Sequence, residues 1–218
     1  MSDAARANKI EAARRALEHV RPGTIIGLGS GTTAAEMVRL LGERVRAGLD
    51  VRGVPSSAAT EALAREVGVP LVALEDVDAL DVVLDGADEV DPRGDMIKGR
   101  GGALLREKVL AVASSRLVIM IDASKDVAAL GARSPVPVEI TPFAASVVRR
   151  ALTTLGASRV DTRLAGGAPF VTDGGNHILD CAFGPIPDAR ALAARLDATV
   201  GVVEHGLFVG FSPIIVRG

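Results

Sequence analysis

The sequence predicts an α/β protein, in which a parallel sheet with intervening helices is joined to a smaller α+β domain. Three observations predict it. Short apolar runs rich in β-branched residues alternate with helix-period segments over the first 130 residues. Several of these runs end abruptly in glycine, hydroxyl or acidic residues. Beyond Gly131 the alternation gives way to Pro-flanked runs and a turn-rich stretch. The expected division is residues 1–130 plus 206–218 for the sheet domain and 131–205 for the smaller one.

Taken in order, residues 9–20 (KIEAARRALEHV) read as a helix that stops at Arg21-Pro22-Gly23. TIIGLG is a buried strand, and TTAAEMVRLLGERVRAG has helical periodicity with no proline. The unit repeats as VRGVP (strand), SSAATEALAREVG (helix) and PLVAL (strand). DVVL is a short strand ending in DGADEVD. Residues 102–113 form a helix, and RLVIMID a further strand. In the second domain PVPVEI, SRVDTR and VGVVEH read as strands, and PFAASVVRRALTTLG and DARALAARLDA as helices. FVTDGGNHILDCAF reads as strands about a hairpin turn at residues 173–176. The final GLFVGFSPIIVRG reads as a strand returning to the first sheet.

Composition removes several functions. A net charge of −2 gives no electrostatic reason to expect nucleic acid. Aromatics are 2% of the chain, without Trp or Tyr, so stacking platforms for bases or sugar rings are scarce. Cys181 is the only cysteine, which fits a reducing, cytoplasmic setting. No apolar run reaches membrane length, and Met1 to Ile10 lack the core of a signal peptide.

In open α/β sheets ligands gather beyond the carboxyl ends of the strands. Four polar segments fall there: Ser30-Gly31-Thr32-Thr33, Ser56-Ser57, Asp85 to Asp91, and Asp122 to Lys125. GLGSGTT runs from a strand into a helix start, where free N–H groups and hydroxyls suit one phosphate. It is neither a Walker A loop nor the dinucleotide fingerprint, whose third glycine is Thr32 here. The bland reading is a capped strand-to-helix turn. The acidic DGADEVD reads as a solvated loop, a magnesium site, or a set of working carboxylates. His19, His177 and His205 share no metal-ligand spacing. IKGRGGALLREK puts Lys98 and Arg100 in a glycine-rich loop and Glu107 in the following helix.

Moving a sugar carbonyl between C1 and C2 needs a base for a carbon proton, a fixed charge for the enediolate, and a proton shuttle between oxygens. Glu107, Lys98, Asp85 and Asp88 supply a candidate for each role without a metal. A phosphate anchor would let binding energy position the reacting carbons. A non-catalytic sugar-phosphate sensor would have no need of Glu107 with Asp85 and Lys98. A sugar-phosphate deaminase would favour a histidine near these motifs, and none is there.

GLGSGTT, SSAAT, DGADEVD, KGRGGALLREK, DASK and VTDGGNHILD, in this order over about residues 9–205, closely resemble the A-type ribose-5-phosphate isomerase family. The resemblance implies a Rossmann-like domain with a smaller α+β domain, a homodimer or homotetramer, and no cofactor or metal. It implies interconversion of ribose 5-phosphate and ribulose 5-phosphate in the pentose phosphate pathway. Glu107 would be the base, Asp85 would assist ring opening and the oxygen shuttle, and Lys98 and Asp88 would complete the site. Ser30, Gly31, Thr32 and Thr33 would line the substrate site, with Gly86 and Ala87 between the aspartates and Gly99, Arg100 and Gly101 beside it. Lys125 and Lys9 would bring positive charge to the phosphate. The chain departs from the family pattern at Arg100, where some members carry glycine, and in a short C-terminal segment.

Overall fold

A computed structural model describes residues 3–218, with side chains from Arg6 onward. The chain divides into two compact units. The first takes the chain up to Ala87, then Arg106–Lys125 and Phe211–Gly218; the second takes Asp88–Leu105 and Asp126–Gly210. Segment 88–105 therefore groups with the second unit, ahead of the expected boundary at 130.

The first unit holds a five-stranded parallel sheet. Its strands are β1 (Thr24–Leu28), β2 (Val51–Pro55), β3 (Val82–Gly86), β6 (Leu117–Ile121) and β14 (Ile214–Arg217), in the order β14-β6-β3-β1-β2. All five residues of β6 are buried, as an LVIMI run flanked by strands on both sides requires. The helices are α1 (Asp3–Ala16), α2 (Gly31–Arg46), α3 (Ala58–Glu66) and, from Arg106 onward, α4 (Leu104–Val112). Helix α2 buries Ala34, Met37, Val38 and Leu41, the spacing of one apolar face. That face packs into a core with Ile26, Leu28, Val82, Leu84, Val118 and Met120 from the sheet.

The second unit carries β4 (Glu89–Val90), β5 (Met96–Ile97), β7 (Val136–Ile140), β8 (Arg159–Thr162), β9 (Leu164–Ala165), β10 (Ala168–Pro169), β11 (His177–Ala182), β12 (Val202–His205) and β13 (Leu207–Phe208). Antiparallel pairing gives a four-stranded sheet, β12-β7-β11-β8, and a three-stranded one, β13-β5-β4. Helices α5 (Ala145–Thr154) and α6 (Ala189–Asp197) bury Val148, Leu152, Leu192 and Leu196 against the four-stranded sheet's apolar residues. Asp188 caps α6 by accepting the Ala191 N–H at 2.9 Å.

The expected fold class is found, with local differences. PLVAL is not a strand. Leu71 makes one isolated bridge to Gly53, and a 3-10 turn at Leu74–Asp76 then takes the chain away. The turn at 173–176 closes on itself, Thr172 N–H to Asn176 O at 2.9 Å, but only its distal arm, β11, is a strand. The short hairpin lies instead at β9-β10, where Gly166 and Gly167 both have positive φ. The final segment is split: β13 pairs with β5 in the second unit, and β14 alone joins the parallel sheet.

Glu89 organises the second unit from within. Its carboxylate is 1% exposed and accepts the backbone N–H groups of Gly131 (2.6 Å), Arg133 (2.7 Å) and Ser134 (2.5 Å). Removing it strands three donors. Glu89→Ala is expected to lower unfolding stability by about 2–4 kcal/mol in urea titrations, whereas a change under about 0.5 kcal/mol would show that water replaces the carboxylate.

Candidate active site

In the first unit the carboxyl ends of β1 and β3 set the geometry. Gly29 leaves β1 with its N–H on Leu84 O at 3.0 Å, and its carbonyl accepts the Thr60 hydroxyl at 3.0 Å. Thr60 is itself positioned by Ser57, whose hydroxyl caps α3 through the Thr60 N–H. A Cβ on Gly29 would lie 2.1 Å from Asp85 Oδ1, so only glycine fits.

Asp85, the penultimate residue of β3, is almost fully buried, at 1% exposure. Its Oδ1 accepts the N–H groups of Ser30 (3.1 Å) and Gly86 (2.7 Å). Ser30 holds the position that would cap α2, yet its hydroxyl makes no cap bond. It donates instead to Glu107 Oε1 at 2.5 Å. Glu107 is 4% exposed in α4. One residue thus touches both carboxylates, with its main chain on Asp85 and its side chain on Glu107.

Of the cationic groups expected near a phosphate, Lys9 meets the same loop, and Lys9 and Lys125 both act on the carboxyl group of Asp122. Lys9 Nζ donates to Thr32 Oγ1 at 2.7 Å. Gly31 opens α2 at φ +84°, and Thr33 lies next to Gly86, its Cβ 4.0 Å from where a Gly86 Cβ would stand. Beyond β6, Asp122 accepts the Ser124 N–H at 2.9 Å, and its carbonyl accepts the Lys125 N–H at 3.0 Å. Burial pushes the Asp122 carboxyl up, but the Ser124 hydrogen bonds and the charges of Lys125 and Lys9 outweigh it, and the net shift is down. A depressed carboxyl contributes stability that is complete above its unfolded pKa and disappears as pH falls through the folded one.

In the second unit Asp88 and the lysine loop come together. The Asp88 N–H donates to Ile97 O at 2.8 Å, and Asp88 Oδ2 accepts the Arg100 N–H at 3.0 Å. Lys98 is 3% exposed, with its N–H on Gly206 O at 2.9 Å and its ammonium 5.4 Å from the Phe208 ring centre. Gly99, Arg100 and Gly101 form a turn that the Gly102 N–H closes on Gly99 O at 3.0 Å. A cavity of about 350 Å³ opens beside them, lined by Asp88, Arg100, Arg133, Arg163 and Asp180 among others.

The carboxylates of the acidic run each accept backbone N–H groups. Asp91 Oδ1 accepts the N–H groups of Arg93 and Asp95, Glu89 holds the 131–134 loop, and Asp85 and Asp88 take the donors above. Among the described residues the grouping spaced for a metal is Asp197, Glu204 and His205, which sequence spacing did not bring together. There His205 Nδ1 accepts the Leu207 N–H at 3.2 Å, which puts the ring proton on Nε2, 3.0 Å from Asp197. That tautomer is neutral: it gives Asp197 a hydrogen bond and offers no lone pair to a metal at Nε2.

The sequence model of the ribose 5-phosphate isomerase A (phosphoriboisomerase A) family matches residues 52–218. A ribose-5-phosphate isomerase A of Nitrobacter hamburgensis is 52% identical over 212 residues, covering 94% of this chain and 91% of its own length. A D-ribose-5-phosphate isomerase solved in complex with phospho-erythronic acid superimposes with a TM-score of 0.94 at 36% identity, over 99% of this chain and 94% of that one. Ribose 5-phosphate isomerase A from Methanocaldococcus jannaschii gives 0.88 at 40% identity, over 92% and 89%.

The Gly29–Asp85 contact has a direct test. Gly29→Ala is expected to cost about 1–3 kcal/mol by overpacking. Gly86→Ala, whose new Cβ would come no nearer than 3.7 Å to a neighbour, is expected to cost less. Equal losses in chemical denaturation would show that the carboxylate moves aside freely.

Proposed function

This chain belongs to the ribose 5-phosphate isomerase A family, and on that footing we propose that it interconverts ribose 5-phosphate and ribulose 5-phosphate through an enediolate, with Glu107 as the base. The observation that carries the reading is the Ser30 bridge, which ties the carboxylates of Asp85 and Glu107 to the loop that would hold the phosphate.

The chemistry divides among the residues. Asp85 assists ring opening of the bound sugar, exposing the C1 aldehyde. Glu107 takes the proton from C2 and returns it to C1. The Ser30 hydroxyl fixes one oxygen of Glu107 and so the direction of that carboxylate. Between the two transfers the negative charge sits on the enediolate oxygens, where the Lys98 ammonium stabilises it. Asp85 carries the proton between O1 and O2, and Asp88 holds the sugar hydroxyls. Asp85 and Asp88 are separated in the chain by Gly86 and Ala87 alone, which supports their action on one substrate. Within the Ser30–Thr33 segment the phosphate is anchored by the N–H groups of Gly31, Thr32 and Thr33 and the two threonine hydroxyls, while Ser30 stays on the carboxylates; Lys9 and Lys125 lie beside it, so that binding energy orients the reacting carbons. Gly99, Arg100 and Gly101 border the sugar.

The same reading places the enzyme in the cytoplasm, which the single cysteine supports. Among the described residues no helix is long and apolar enough to cross a membrane. Assembly as a homodimer or homotetramer is carried over from the resemblance.

Glu107→Gln is expected to lower kcat by about 10²–10⁴ while ribose 5-phosphate still binds in calorimetry. Wild-type turnover by that variant would remove Glu107 from the role of base. Dialysis against EDTA is expected to leave activity intact, and a loss restored by magnesium would return the acidic run to a metal.

A further inference from the structure

Arg163 connects the second unit's four-stranded sheet to the lysine loop. Its backbone is fixed on both sides: its N–H donates to Ile178 O at 2.9 Å, and its carbonyl accepts the Phe170 N–H at 2.8 Å. Its guanidinium meets Asp180 side-on, with Nε on Oδ2 at 3.0 Å and Nη2 on Oδ1 at 2.5 Å. Asp180 lies in β11, which pairs with both β7 and β8, so this carboxylate stands on one of the two inner strands of the sheet. The remaining arm, Nη1, donates to two consecutive carbonyls, Gly99 O at 2.8 Å and Arg100 O at 3.0 Å.

Those carbonyls belong to the turn that follows Lys98. The Arg100 N–H in turn donates to Asp88 Oδ2 at 3.0 Å. The sequence of contacts is therefore sheet, Asp180, Arg163, turn, Asp88. The side chains of Arg163 and Asp180 are only 14% and 23% exposed, so solvent competes weakly for the pair. A planar fork is needed to bind a carboxylate on one edge and carbonyls on another, which an ammonium cannot do. Nothing in the SRVDTR segment alone points to this reach.

We propose that Arg163, held by Asp180, is a positioning residue for isomerisation: it fixes the Gly99–Arg100 turn and through it the placement of Lys98 and Asp88. The inference rests on the assignment of Lys98 and Asp88 to the substrate. Displacing a reacting group by about 1 Å costs up to about 10²-fold in rate, which sets the scale.

The test compares Arg163→Ala, Arg163→Lys and Lys98→Ala. For Arg163→Ala, kcat is expected to fall about 10- to 100-fold with KM for ribose 5-phosphate within about threefold of wild type. Millimolar guanidinium, far below denaturing levels, is expected to restore part of that kcat and none of the loss in Lys98→Ala. Arg163→Lys keeps a cation opposite Asp180 and is expected to fold yet remain slow. Should the alanine variant not fold, the lysine variant decides. Wild-type kcat in a folded Arg163 variant overturns the proposal, as does a loss in Arg163→Ala that guanidinium does not restore. Wild-type kcat in Lys98→Ala would instead overturn the assignment of Lys98, which separates the two failures.

Discussion

Position 29 admits no side chain, and much of the first unit's chemistry follows from that. The space a Cβ would take is filled by the Asp85 carboxyl group. Neighbouring parallel strands thus end with a backbone pressed against a carboxylate. The chain leaving β1 has its N–H and carbonyl already committed to Leu84 and Thr60, so Ser30 has little freedom. Its N–H meets Asp85 and its hydroxyl meets Glu107 because the preceding residue has no side chain to push them apart. The geometry proposed to act on the sugar is thus preorganised by packing.

Four carboxylates fall within seven residues, Asp85 to Asp91. Each is turned to its own set of backbone N–H donors, and N–H dipoles stabilise a carboxylate charge as a cation would. Glu89 and Asp91 use that arrangement to hold loops. Asp85 and Asp88 use it to be held. The same segment therefore contributes both stability and the groups proposed to meet the sugar.

Much of this was legible in the sequence because it depends on local pattern. β-Branched runs ending in glycine or aspartate marked the parallel strands, and the rule that ligands gather at their carboxyl ends brought residues 30–33 and 85–91 into one reading. What escaped notice depends on distant partners. Leu164-Ala165 and Ala168-Pro169 are too short to show alternation, so their hairpin was invisible. PLVAL has strand composition but finds only one bridge, since the chain turns at Leu74. Arg163 looks like any strand-end cation until the fold places its fork on carbonyls 63 and 64 residues away. His205 joins Asp197 and Glu204 only when α6 and β12 pack together.

The position of β14 has a consequence for synthesis on the ribosome. It is the partner of β6 on one side of the parallel sheet, yet the whole second unit is encoded before it. While the chain is being made, β6 must wait with one edge unpaired, and its LVIMI sequence is wholly apolar. Such an edge is a template for intermolecular pairing. The nascent chain therefore exposes an apolar strand edge in the interval between the emergence of residue 121 and that of residue 214.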